Sequence, residues 1–169
     1  MLELIRRNIL PEHQADFRPG KSTIYNIVQL ERYAQGQLRR ARRRHHSAVI
    51  LFDIKAASDS VWHDGLIYKL NDLHLPQYIT NYLISFLQNR AAAIEIENIL
   101  SRQFNLKSGT PQETPLSPLL YIIYTADSMN GLQTHTEHWL FTDDTALWTS
   151  ANTMTSLSSR LQQSIDAFE

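Results

Sequence analysis

The stretch WLFTDDTALW, residues 139–148, sets two adjacent carboxylates, Asp143 and Asp144, between apolar runs. A third carboxylate, Asp53, closes the apolar run SAVILFDI. If the two segments are neighbouring strands, three acids converge at one sheet edge, where they repel one another unless cations are shared. Mg²⁺ prefers carboxylate oxygens and leaves room for substrate phosphates. Two such ions stabilise both the attacking and the leaving oxygen of a phosphoryl transfer. Asp-Asp is also an ordinary turn dipeptide, and taken alone the pair favours a turn.

A second group with chemistry to offer is the run Arg39, Arg40, Arg42, Arg43 and Arg44, followed by His45 and His46. It suits contact with nucleic-acid phosphates and equally suits an exposed helix end. The formal charge of −1 conceals a polarity. Residues 1–46 hold ten Lys or Arg against four acids, and residues 109–169 hold one Arg against seven acids. A basic arm and an acidic end together suit a polyanion and cations, but charge alone favours solvated helix faces. The chain has no Cys, which excludes disulfides, zinc–thiolate sites and thiol catalysis. No apolar stretch approaches the roughly 20 residues of a membrane span, and MLELIRRNILPEH lacks the apolar core of a secretory signal. These features suit an intracellular protein of one domain, with no membrane partner.

The elements that must position these groups follow from the pattern. A Pro-Gly turn precedes a helix capped by Ser22 or Thr23, with Ile24, Ile27, Val28 and Ala34 near helical spacing and the arginines at its C-terminus. SAVILFDI reads as a buried strand. HDGLIYKLNDLHL and PQYITNYLISFLQN read as helices, the second with Pro76 near its first turn. AAAIEIENIL alternates as a strand, with SRQFNLKSG as its hairpin partner. GTPQETPLSP holds three of the six prolines and is irregular; LLYIIYTADSM then reads as a buried helix. EHWLFT and TALWTS form a hairpin hinged on the aspartates, and MTSLSSRLQQSIDAFE is amphipathic. This order predicts an α+β fold, an antiparallel sheet with helices on one face.

Three segments in order, FDIKAASDSVWHDGL, SGTPQETPLSPLLYIIYTAD and LFTDDTALW, resemble the reverse transcriptases of non-LTR retrotransposons, in particular the jockey-like lineage. ADFRPGKST is similar to that family's upstream fingers segment. The resemblance spans nearly the whole chain. It implies a right-hand polymerase palm: residues 1–46 a partial fingers segment, 47–150 the palm core with the catalytic motifs, and 151–169 the start of the next palm helix. Asp53 matches the family's first motif aspartate, and Asp143 and Asp144 its paired aspartates, implying catalytic metal ligands for two Mg²⁺ ions, or Mn²⁺. The implied partners are an RNA template, a DNA primer and dNTP, and the implied location is the nucleus. Ser58, Gln112 and Glu113 stand at nucleotide-binding positions. Arg18 and Lys21 match fingers residues near the template backbone, with Arg39, Arg40 and Arg43 as further nucleic-acid contacts. Asp59 is expected to cap the helix after it, and Trp62 and His63 to be packing residues.

Four departures stand out. Ser58 replaces the family's Phe, whose ring excludes ribonucleotides. Glu113 replaces the Gly of Pro-Gln-Gly, bringing a charge toward a triphosphate and a side chain into a turn suited to Gly. Ala15-Asp16 replaces Phe-Gly, and Thr142 a usual Ala. The family's remaining fingers would precede Met1 and its thumb would follow Glu169, so the expected content is an incomplete palm with the thumb absent. A non-catalytic nucleic-acid-binding remnant is the alternative, and a metal-dependent nuclease is disfavoured by the polymerase context of each aspartate.

Overall fold

Apolar runs and turn signals resolve into two compact units in the computed structural model, which describes residues 6–7, 9–10, 12–16, 18, 20–40 and 46–168. One unit comprises Met1–Ile9 and Ala56–Thr125, the other Leu10–Lys55 and Ala126–Glu169. Among the described residues no helix is long and apolar enough to cross a membrane.

The second unit is built on a three-stranded antiparallel sheet. Its strands are β1 (His46–Asp53), β6 (Thr136–Phe141) and β7 (Asp144–Ala151), in the order β1-β7-β6. Residues directly opposite in such a sheet share a face, so the register sorts the side chains. Phe52, Leu140 and Leu147 lie on one face and pack with Met129, Leu132 and Phe168. Phe168 belongs to helix α6 (Met154–Phe168), which lies against this face. There the hydroxyls of Thr136 and Ser164, both buried, bond each other at 2.6 Å.

Trp139 and Trp148 lie on the opposite face and meet helix α1 (Thr23–Arg40) through Tyr25 and Tyr33, ring edge to ring face. The N–H of Tyr25 donates to the Ser22 hydroxyl, so Ser22 is the cap of α1. Helices therefore cover both faces of this sheet and not the single face expected. The large rings hold α1 off the sheet, leaving cavities of about 290 and 340 Å³.

Strand β1 was expected to be buried; it is a sheet edge, with Leu51 75% exposed and Val49 42% exposed. An unbroken apolar run reads as burial on both faces. Here only the alternate residues that face α6 reach the core.

The first unit is mainly helical: α2 (Ala57–Ser60), α3 (His63–Asp72), α4 (Gln77–Leu87) and α5 (Leu116–Thr125). Leu66 and Leu70 on α3, Leu83 and Leu87 on α4, and Leu120 on α5 are buried, each pair spaced for one helix face. Arg7 donates to the carbonyl of Leu73 at 2.7 Å, a cation at the C-terminus of α3.

The expected hairpin is present with its turn displaced. It consists of β2 (Ala91–Ala92) paired with β5 (Phe104–Asn105), and β3 (Glu95–Ile96) paired with β4 (Ile99–Leu100). The turn is Glu97-Asn98, both at positive φ, inside the segment read as one strand. Positive φ at both central residues is the hairpin-favouring conformation, and Asn tolerates it well. The hydrophobic alternation of IEIENIL hides it.

Candidate active site

The carboxylates are brought together by strand register. Asp53, the last residue of β1, is directly opposite Asp144, the first of β7, and Asp144 is also opposite Phe141 of β6. Thr142 and Asp143 form the two-residue turn between them. Asp53 and Asp144 therefore share a face at one end of the sheet, both exposed, while the half-buried Asp143 sits at the hairpin tip. Among the described residues, no three His, Asp or Glu side chains already form a metal-holding group. The backbone register aligns the acids. Asp144 also lies at the rim of the 290 Å³ cavity, whose walls include Ile27, Leu51, Trp139 and Phe141.

The hairpin tip has a tether that the sequence does not reveal. Residues 13–15 run parallel to β6: the Leu140 N–H donates to the His13 carbonyl at 3.0 Å, and the Ala15 N–H to the Leu140 carbonyl at 3.0 Å. This strand extension carries Asp16 to the turn, where its carboxylate accepts the hydroxyl of Thr142. His13 meets His138 ring edge to face at 4.3 Å. Burial pushes the His13 imidazole down to about 4, with the charges of His138, Lys21 and Arg18 adding to it. Burial also lowers His138.

Of the expected nucleic-acid contacts, Arg18 is half-buried and its carbonyl accepts the Lys21 N–H. The Lys21 ammonium donates to the Glu12 carbonyl and lies 5.1 Å from the Trp139 ring centre. Its pKa is lowered, first by burial and then by Arg18. Arg39 is exposed at the end of α1, Arg40 is the last residue of that helix, and Arg42, Arg43, Arg44 and His45 lie outside the described residues.

Ser58, Gln112 and Glu113 belong to the other unit, where a short ladder assembles them. The Thr110 N–H donates to the Ser58 carbonyl at 2.9 Å, and the Gly109 N–H to the Val61 carbonyl at 2.9 Å. The Gln112 amide donates to the Asp59 carboxylate at 3.2 Å. Asp59 therefore braces Gln112. It does not cap α3, whose N-terminus has no side-chain cap. Ser58, Gln112 and Glu113 are all exposed. Glu113 holds φ at +59°, a conformation suited to glycine. Thr114 then steadies the start of α5 by accepting the Ser117 N–H at 3.2 Å. Trp62 is exposed, whereas His63 is buried and bonds the Gly109 carbonyl at 2.7 Å. No periodicity or spacing announces that bond.

The family model for reverse transcriptase (RNA-dependent DNA polymerase) matches residues 1–169. The probable RNA-directed DNA polymerase from transposon BS of Drosophila melanogaster is 35% identical over 124 residues, 73% of this chain and 13% of that protein. The RNA-directed DNA polymerase from mobile element jockey of the same species is 31% identical over 172 residues, 95% of this chain and 18% of that protein. The chain thus spans under a fifth of these curated relatives' length. Among solved structures, apo telomerase from Candida tropicalis, truncated from its C-terminal domain, superposes with a TM-score of 0.70 at 14% identity. That match covers 98% of this chain and 34% of the telomerase. Telomerase from Candida albicans, in complex with a fragment of telomeric RNA, gives 0.69 at 15% identity, covering 95% and 30%. At such identity the telomerase likeness is one of fold: mixed helix and antiparallel sheet, consistent with a polymerase palm. The family match, the jockey and BS relatives and the order of the motifs agree, and the chain belongs to the reverse transcriptase family as a domain of the non-LTR retrotransposon type.

Proposed function

We propose that this domain serves RNA-directed DNA synthesis, joining a primer 3′-oxygen to the α-phosphate of a dNTP and releasing pyrophosphate, with RNA as template. The observation that carries this reading is the register that sets Asp53 opposite Asp144, with Asp143 in the adjoining turn. Three carboxylates are the donor set that Mg²⁺ or Mn²⁺ prefers, so Asp53, Asp143 and Asp144 are the residues that would hold two such ions. Bound there, the ions supply electrostatic stabilisation of the phosphoryl oxygens.

The chain's own residues do the positioning. The two strands β1 and β7 hold the carboxylates at fixed register, and the amide of Gln112, braced by Asp59, is offered to the nucleotide. Ser58 leaves open the volume beside the sugar. The Glu113 carboxylate opposes a triphosphate. In this reading residues 47–150 are the palm core, 151–169 the following palm helix and 1–46 part of the fingers. Arg18, Lys21, Arg39, Arg40 and Arg43 would meet phosphates of template or primer, Lys21 least, since Glu12 and Trp139 already engage it. Copying into chromosomal DNA puts the activity in the nucleus.

A second reading, a nucleic-acid-binding remnant with an idle metal site, is favoured by the acid at position 113. Primer extension on an RNA template separates the two. Mg²⁺-dependent extension abolished by Asp143→Asn supports synthesis; salt-dependent RNA binding with no extension supports the remnant.

A further inference from the structure

Gln112 and Glu113 are exposed, and among the described residues the bond from the Gln112 amide to Asp59 is a light restraint for residues proposed to meet a nucleotide. The stronger fixing point is three residues earlier. The carbonyl of Gly109 accepts from two side chains at once, Nε2 of His63 at 2.7 Å and a guanidinium nitrogen of Arg90 at 3.0 Å. A carbonyl oxygen has two lone pairs, so both bonds are made without competition. His63 must carry its proton on Nε2 to donate. It is buried at the start of α3, whereas Arg90 is half-buried just before β2.

Gly109 itself has no slack. Its φ is +85°, and a Cβ there would stand 3.3 Å from the backbone of Asp59. Its N–H is bonded to the Val61 carbonyl, and the next N–H, of Thr110, to that of Ser58. The whole peptide unit is thus pinned on both sides, immediately before the turn that presents Gln112.

We propose that His63 and Arg90 are positioning residues, a two-donor latch on the Gly109 carbonyl that holds the Gln112 turn in its nucleotide-binding conformation. The proposal rests on the polymerase reading of Gln112. Neither residue touches substrate in this scheme, so the latch sets nucleotide affinity and leaves the chemical step alone. Removing one donor from a shared acceptor weakens binding about fivefold to tenfold, the ordinary worth of one hydrogen bond.

The test uses Mg²⁺–dATP as probe. Equilibrium binding and RNA-templated extension are measured for the unaltered chain, Arg90→Ala, His63→Leu, and the donor-retaining His63→Gln and Arg90→Lys. Amide hydrogen exchange at residues 109–113 is followed alongside. The expected result is an elevated dATP Kd and KM for Arg90→Ala and His63→Leu, a nearly constant kcat, faster exchange confined to the turn, and recovery in the donor-retaining variants. The latch is overturned if Arg90→Ala and His63→Leu bind dATP as the unaltered chain does. It is equally overturned if His63→Gln is as impaired as His63→Leu with the same drop in melting temperature, since packing would then be the whole role. Failure of the unaltered chain to bind Mg²⁺–dATP overturns the polymerase reading itself, and the latch with it.

Discussion

The hydroxyl of Thr142 donates to the carboxylate of Asp16, joining two residues 126 positions apart. Both stand where the resemblance to the family implies other residues, Gly and Ala. In the fold they are partners: the Asp16 carboxylate accepts the Thr142 hydroxyl beside the aspartate pair. A hydrogen bond to a charged acceptor contributes about 1.5–3 kcal/mol when partly buried. Thr142→Ala and Asp16→Gly are each expected to lower stability, and the double variant by less than their sum. A double-mutant cycle in urea checks this; strict additivity would dissolve the partnership.

Asp53 opposite Asp144 is a like-charge pair at a strand end, a cross-strand arrangement that destabilises a sheet by some tenths of a kcal/mol. In metal-free buffer Asp53→Asn should raise the unfolding midpoint slightly. Added Mg²⁺ should stabilise the unaltered chain and leave this variant nearly unmoved. Calorimetric melting with and without Mg²⁺ reads both effects, and an equal Mg²⁺ response in the two proteins would speak against these ligands.

Glu113 occupies backbone space that suits glycine. Glu113→Gly should stabilise the fold by about 1 kcal/mol through relief of the left-handed strain, and should also tighten nucleotide binding by removing a negative charge. Chemical denaturation measures the first effect and dATP titration the second. An unchanged affinity would leave the charge argument without support.

In the proposed reading Ser58 stands where the resemblance implies a ring screening the sugar 2′ position. Extension should therefore accept rNTP nearly as readily as dNTP, and Ser58→Phe should restore preference for dNTP. Competing incorporation on one template gives the ratio directly; strong dNTP preference in the unaltered chain would refute the role of this position.

His13 and His138 predict an acid-sensitive unit. Burial lowers both imidazoles, His13 from 6.5 to about 4. Unfolded imidazoles take up protons near pH 6.5, and the folded ones do so only at lower pH. The stability they contribute is whole above pH 6.5 and is lost as the pH falls below it, for His13 through about 4. Their strand extension ends at Asp16, so its tether to Thr142 should loosen over the same range. Urea midpoints between pH 8 and 4 should decline below 6.5, and the joint substitution His13→Gln, His138→Gln should flatten that limb.

Much of the architecture was legible from pattern. The long helices, a hairpin carrying the aspartates and the strand ending in Asp53 follow from apolar periodicity and turn residues, which act locally; the hinge itself lies one residue earlier than the Asp143-Asp144 expected, on Thr142-Asp143, with Asp144 already in β7. Sequence pattern and structure part where partners at a distance decide. SAVILFDI proved a half-exposed edge because strand order, not composition, sets which faces are covered. The hairpin turn at Glu97-Asn98 was hidden by continuing alternation. Asp59 sits where a helix cap is expected, but its partner, Gln112, lies on a different loop.

The sequence by itself determined the family, the elements and the residue types able to hold cations, since motif order and hydrophobic spacing are properties of the chain alone. Only the tertiary structure decided which groups meet: Asp53 with Asp144, Asp16 with Thr142, and His63 and Arg90 on one carbonyl. Those meetings depend on strand register and on backbone oxygens. Every residue type supplies such an oxygen, so nothing in the order of side chains marks the one that will be used.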